Sequence, residues 1–180
     1  ATGALARLIR SFGAQILAFG RSDHFVPVDT EALGEDMRAL YRDRAEALRL
    51  DAIVSTDADG DRPLLADENG EPVPGDLLGW IAARRLGATS VATPVTSNSA
   101  IAPRGTLSVS RTRVGSPFVI EAMETAMAGG SAAAVGFEAN GGFLLGTDFR
   151  IGDWPLRRLP TRDAVLPILT LIGLRVGGLL

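Results

Sequence analysis

The chain has no cysteine and no lysine, and His24 is its only histidine. Without thiols, neither disulfides nor thiolate metal sites can form. Without lysine there is no Schiff-base residue, no P-loop lysine and no lysine general base; all eighteen basic residues are arginine. The single histidine, set between Asp23 and Phe25, has nothing of a Ser-His-Asp triad around it and reads as a surface or interdomain residue. The formal charge of −3 supplies no basic field to gather nucleic acid, and no dense positive run marks a membrane surface. The first twenty residues lack a charged start followed by a long apolar run and a cleavage site, so the expected compartment is the cytoplasm.

What is present is an ordinary globular composition, 46% hydrophobic and 22% charged over 180 residues, enough for one large domain or two small ones. Leu5, Leu8, Ile9 and Phe12 follow helical spacing, and Gly13 stands where a left-handed cap ends the helix. Ala14 to Phe19 reads as a strand, and Thr30 as the cap of a helix carrying Leu33, Met37, Leu40 and Leu48. The strand Ala52 to Val54 follows. Leu64 to Ala66 and Glu71 to Val73 flank an Asn69-Gly70 turn and predict a hairpin. Asp76 caps a helix running to Leu86. Beyond it come strands at Ser90 to Thr93 and Leu107 to Val109, a helix from Pro117 to Ala128, strands at Ala132 to Phe137 and Phe143 to Leu145, and a last helix from Thr161. Alternating helices and strands with short links predict an α/β fold with a mixed, largely parallel sheet. The boundary between two units is placed at Pro74-Gly75.

The chemistry concentrates at Asp57-Ala58-Asp59-Gly60-Asp61-Arg62. Three carboxylates this close raise one another's pKa unless a cation compensates, and an all-oxygen donor set suits a hard ion such as Mg²⁺. A calcium-binding EF-hand loop matches at Asp57, Asp59, Asp61 and Glu68. It fails at Arg62, where glycine should make the turn, and at the β-branched segment that precedes the loop. A haloacid-dehalogenase-like phosphatase matches Asp57-Ala58-Asp59-Gly60, but the next residue is Asp61 instead of threonine, and that chemistry requires a lysine. A solvated acidic turn is the remaining reading.

A second loop, Gly136-Phe137-Glu138-Ala139-Asn140-Gly141-Gly142, lies between two apolar strands. Taken in order with the acidic loop, and with Thr112-Arg113-Val114-Gly115 and Arg162-Asp163-Ala164, it resembles the α-D-phosphohexomutases, the phosphomannomutase and phosphoglucomutase superfamily. The resemblance implies two consecutive three-layer α/β/α domains, residues 1–74 corresponding to an incomplete second domain and 75–180 to the third. It implies a Mg²⁺-dependent enzyme interconverting hexose 6-phosphate and hexose 1-phosphate through a phosphoserine and a bisphosphate intermediate. Asp57, Asp59 and Asp61 would be the metal ligands, and Arg62 would hold a phosphate or orient the phosphoserine. Glu138 and Asn140 would bind sugar hydroxyls, Gly141 and Gly142 would let the backbone approach the ring, and Ser116 would be a further substrate contact, with helix N-capping as its structural role.

The sequence also departs from that pattern. The serine followed by His-Asn-Pro and the closing phosphate-binding loop are absent, so domains 1 and 4 are expected to be missing and the isolated chain to have no mutase turnover. The sugar loop, with Asn140 and Gly142 in place of serine and histidine, resembles a bacterial phosphomannomutase branch more than the phosphoglucosamine branch. The expected partner is a mannose or glucose phosphate, with phosphoglucomutase and phosphoglucosamine mutase as alternatives.

Overall fold

A computed structural model of the chain describes residues 2–20, 28–103, 105, 107–151 and 154–173. His24 lies outside them. In chain order the elements are α1 (Thr2–Ser11), α2 (Glu35–Leu48), β1 (Ile53–Thr56), β2 (Pro63–Ala66), α3 (Gly75–Arg85), β3 (Ser90–Pro94) and β4 (Ser108–Thr112). They continue with α4 (Ser116–Ala128), β5 (Ala134–Phe137), β6 (Phe143–Leu145), β7 (Phe149–Ile151), β8 (Trp154–Leu156), β9 (Leu159–Asp163) and α5 (Val165–Ile172).

The main sheet has the order β4-β3-β5-β6-β9. β3 runs parallel to both β4 and β5, and β6 is antiparallel to both β5 and β9, so the α/β expectation holds with an evenly mixed sheet. Strand alternation sorts its side chains into two layers. Val91, Val135, Phe137, Phe143 and Leu145 pack with Ala82 and Ala83 of α3 and Leu166 of α5 on one face, whereas Ala92 and Leu144 meet Val119 and Met123 of α4 on the other. Phe137 and Phe143, both fully buried, stack with ring centroids 6.3 Å apart. Two glycines let helices sit close to this sheet. A Cβ on Gly136 would fall 2.4 Å from Val119 Cγ1, and one on Gly79 would fall 2.4 Å from Phe137 Cγ.

The stretch before α3 is built differently. β1 and β2 pair antiparallel, Ile53 opposite Ala66 and Thr56 opposite Pro63, so the acidic loop is the tip of a two-stranded hairpin and does not follow a strand of a parallel sheet. The hairpin expected at Leu64 to Val73 shrinks to a single bridge, Ala66 with Pro72, because β2 takes β1 as its partner. The Asn69-Gly70 turn survives through Asp67, whose Oδ1 accepts from the backbone N–H groups of Asn69 and Glu71. Tyr41 and Ala45 of α2 pack with Ile53, Leu64 and Ala66 over this hairpin.

Other expectations shift for local reasons. Ala14 to Phe19 makes no strand, having no ladder partner among the described residues, and Leu17 there is exposed. The residue capping α2 is Gly34, and the Thr30 hydroxyl is buried without a partner. Gly115, with φ 122°, is the cap residue of α4, so Ser116 is its first helical residue and forms no capping bond. Asp76 lies inside α3, where its Oδ2 accepts the Asn98 N–H at 2.7 Å. The segment expected to open the last helix at Thr161 instead pairs with β6 as β9, and the helix begins at Val165. β7 and β8 form a small hairpin that the sequence did not predict.

Candidate functional site

The carboxyl ends of the parallel strands β3, β4 and β5 lie on one edge of the sheet, where ligands of open α/β sheets collect. The Glu138 to Gly142 loop follows β5 on that edge, and Ser116 follows β4. The loop is a tight turn between β5 and β6. Glu138 N–H donates to the Gly142 carbonyl at 3.1 Å, Gly141 N–H donates to the Glu138 carbonyl at 2.9 Å, and Asn140 Oδ1 accepts the Gly142 N–H at 3.0 Å. Gly141 has φ 87°, a conformation that side chains resist. A Cβ on it would lie 2.7 Å from Pro63 Cγ, and one on Gly75 would lie 2.4 Å from the Asn140 carbonyl carbon. These close approaches seat the loop against the start of α3 and against the first residue of β2, the strand that leaves the acidic loop.

At the hairpin tip Asp57 is 3% exposed and organises the turn. Its Oδ1 accepts backbone N–H groups from Gly60, Asp61 and Arg62 at 3.1 to 3.2 Å, and its Oδ2 accepts Arg62 Nε at 2.5 Å. Burial pushes the Asp57 carboxyl up, but the N–H and guanidinium of Arg62, with a bond to Asp59, outweigh it and hold the group below the ordinary carboxylate value. Asp61 goes the other way: burial and the charges of Asp59 and Asp57 raise it, against the pull of Arg162 and Arg62. One carboxylate oxygen from each of Asp57, Asp59 and Asp61 can be chosen so that all lie within 4.8 Å of one another. Asp61 Oδ1 is buried and has no hydrogen-bond partner. A buried orphan oxygen is costly, so this trio of hard donors suits a divalent cation at that point.

The structure therefore brings together Asp57, Asp59, Asp61 and Arg62, and separately Glu138, Asn140, Gly141 and Gly142. The residue that joins the two sets is Arg162 of β9, which the sequence marks only as part of the Arg162-Asp163-Ala164 segment. Its Nη2 lies 2.5 Å from Asp61 Oδ2 and its Nη1 3.5 Å from Glu138 Oε2. Only the pairing of β9 with β6 places it there, and that long-range register left no mark on the sequence. Ser116 forms no hydrogen bond to either loop among the described residues. A groove of about 590 Å³ between β4 and α4, lined by Ser110, Thr112, Phe118 and Glu121, includes none of the loop residues. Among the described residues no helix is long and apolar enough to cross a membrane.

A tip between two antiparallel strands is not the helix-loop-helix of a calcium-binding module. Comparison with known proteins separates the remaining readings. The family model described as phosphoglucomutase/phosphomannomutase, alpha/beta/alpha domain III, matches residues 74–175. A phosphomannomutase of Sinorhizobium fredii is 50% identical over 172 residues, 96% of this chain and 36% of that protein. One of Salmonella muenchen is 49% identical over 92% of this chain and 34% of its own length. A phosphoglucosamine mutase of Bartonella quintana is 28% identical over 83% of this chain and 33% of its own. The chain thus spans about a third of the length of these relatives. Among solved structures, a phosphoglucomutase/phosphomannomutase family protein of Burkholderia thailandensis superposes with a TM-score of 0.55 at 16% identity, covering 77% of this chain and 28% of that one. A candidate phosphomannomutase of Thermus thermophilus reaches 0.57 at 17% identity, covering 81% of this chain and 31% of its own. At these identities the structural likeness speaks for the fold.

Proposed function

Because the chain belongs to the phosphoglucomutase/phosphomannomutase family, we propose that it is the central part of a phosphomannomutase, interconverting hexose 6-phosphate and hexose 1-phosphate through a phosphoserine and a bisphosphate intermediate. The observation that carries this reading is the meeting of the acidic loop and the Glu138 loop at one guanidinium, Arg162. Identity of 50% and 49% to two phosphomannomutases, against 28% to a phosphoglucosamine mutase, favours mannose phosphate as substrate. Phosphoglucomutase is the second reading.

In this proposal residues 1–74 carry the metal loop and 75–180 the sugar loop, in the order of the family's second and third domains. Asp57, Asp59 and Asp61 would hold Mg²⁺, which when bound supplies charge against that developing on the transferred phosphoryl oxygens. Arg62, raised in pKa by its bond to Asp57, stays charged throughout and presents a planar fork to a phosphate. Glu138, 6% exposed, accepts hydrogen bonds from sugar hydroxyls. Asn140 spends its carbonyl oxygen on Gly142, leaving its NH₂ to donate. Gly141 and Gly142 keep side chains out of the ring's path. Ser116, on the same sheet edge, is a more distant contact. The donor phosphoserine and the closing phosphate loop would come from domains 1 and 4, and the cytoplasm is the compartment where such sugar phosphates are met.

The test is a paired assay with mannose 6-phosphate and glucose 6-phosphate, on the 180-residue chain and on a polypeptide that also carries those domains. Turnover by the longer protein only, with mannose preferred, is the expected result. A preference for glucose overturns the substrate assignment, and turnover by the pure 180-residue chain overturns the division of labour. Asp59→Asn should weaken Mg²⁺ binding measured by calorimetry while leaving metal-free melting unchanged. Unaltered affinity would remove Asp59 from the ligand set.

A further inference from the structure

Arg162 contributes to neither loop, yet it touches both. It projects from β9 and holds only one oxygen of Asp61, Oδ2, at 2.5 Å, while Asp61 Oδ1 is buried without a hydrogen bond. The other arm of the same guanidinium reaches Glu138 Oε2 at 3.5 Å. The path of the side chain depends on Gly142, where a Cβ would lie 2.9 Å from Arg162 Cδ and 3.1 Å from its Cγ. Arg62 does not duplicate the contact: its Nε hydrogen-bonds Asp57 and lies 3.8 Å from the other oxygen of Asp61, Oδ1, too far for a hydrogen bond. One oxygen of the carboxylate is thus held by Arg162, and the other, without a hydrogen bond, is left available to a cation at the Asp57, Asp59 and Asp61 cluster. Partners of this kind orient metal ligands, and their loss typically costs about 10–100-fold in affinity.

We propose that Arg162 is a positioning residue that aims Asp61 at the metal and, through its second arm, couples metal binding to the state of Glu138 in the sugar loop. The inference rests on the reading of Asp57, Asp59 and Asp61 as a Mg²⁺ site and adds a link that this reading does not require. A single guanidinium serving two carboxylates makes their occupancies interdependent. A sugar hydroxyl that takes up Glu138 changes the hold on Asp61, and a cation at Asp61 changes the hold on Glu138 by the same factor. A lysine in this place can satisfy one carboxylate but lacks the planar fork that spans both.

The test is Mg²⁺ titration calorimetry on the 180-residue chain, with melting curves in metal-free buffer as a check on folding. R162Q should weaken Mg²⁺ binding by about 10–100-fold. R162K should recover most of that loss, because one donor to Asp61 is restored. E138Q should change Mg²⁺ affinity several-fold in the wild-type background and leave it unchanged in R162Q and R162K. G142A, which keeps the arginine but obstructs its stem, should weaken Mg²⁺ binding in the same direction as R162Q, and it carries the test if R162Q does not fold. Mg²⁺ affinity that is equal in wild type and R162Q overturns the positioning role. An E138Q effect of the same size in all three backgrounds is through-space charge, and it overturns the coupling. Absence of Mg²⁺ binding by the wild-type chain overturns the metal site itself, a failure distinct from either of these.

Discussion

The hairpin that carries the acidic loop and the sheet that carries the Glu138 loop are supported very unequally. The five-stranded sheet is covered by α3 and α5 on one face and α4 on the other, with Phe137 and Phe143 fully buried between layers. The hairpin has two strands of four residues; α2 packs over it, and α5 also meets β2. A two-stranded ribbon is marginal in water unless packing supports it. It follows that the acidic loop keeps its shape through polar contacts of its own and through its seat on the neighbouring sheet: Asp57 within the turn, Pro63 against Gly141, Asp61 on Arg162.

The largest effect should come from the sheet. Phe137→Ala removes a ring that fills the space against α3 and stacks on Phe143, and truncations of this kind cost about 3–5 kcal/mol. Urea denaturation should show this loss, and a loss under about 1 kcal/mol would mean that the sheet core does not dominate stability.

A smaller and more local effect is expected at the hairpin. Asp57→Ala leaves three N–H groups and the Arg62 guanidinium without their acceptor, at about 1–3 kcal/mol. Amide exchange should quicken across residues 53 to 66 and stay slow in 134 to 145. Equal acceleration in both would show that the two regions open as one. Because the Asp57 pKa is lowered on folding, its stabilisation is complete above the ordinary carboxylate value and disappears as pH falls through the lowered one. The wild-type advantage over Asp57→Ala should therefore shrink in acid.

What the sequence revealed follows the range of the interactions involved. α4 was legible because Pro117, Val119 and Met123 encode its start and its buried stripe within a few turns. The acidic trio was legible because its spacing alone brings three carboxylates together. Residues 161–163 read as a helix start in the sequence and become strand only because β6 lies beside them, and the place of Arg162 depends on the same pairing. Ala14 to Phe19 has the composition of a strand, but a strand also needs a neighbour. Three-residue strands such as β7 and β8 are too short to leave a periodic signal.

The smallest expected effect lies at the end of β9. Burial raises the Asp163 carboxyl above its ordinary value despite N–H donors from Val165 and Leu166. For an acid the sign is then clear. The fold prefers the protonated form, so this group's contribution is best below the unfolded carboxylate value and declines as pH rises through the raised one. Asp163→Asn keeps an oxygen for the Val165 N–H, now at 2.7 Å, and removes the charge. It should raise the melting temperature at neutral pH by a small amount, with no gain in strong acid. A gain of equal size under both conditions would locate its origin outside ionisation.

The contact between Gly75 and the 139–141 backbone has an evolutionary consequence. Main chain meets main chain there, with no side chain between to absorb a change in loop length. An insertion in the Glu138 loop would have to displace the first turn of α3, which is tied through Asp76 to Asn98. The loop can therefore exchange side chains at positions 138 and 140 without moving α3, whereas a change in its length has to be matched by a shift of the helix.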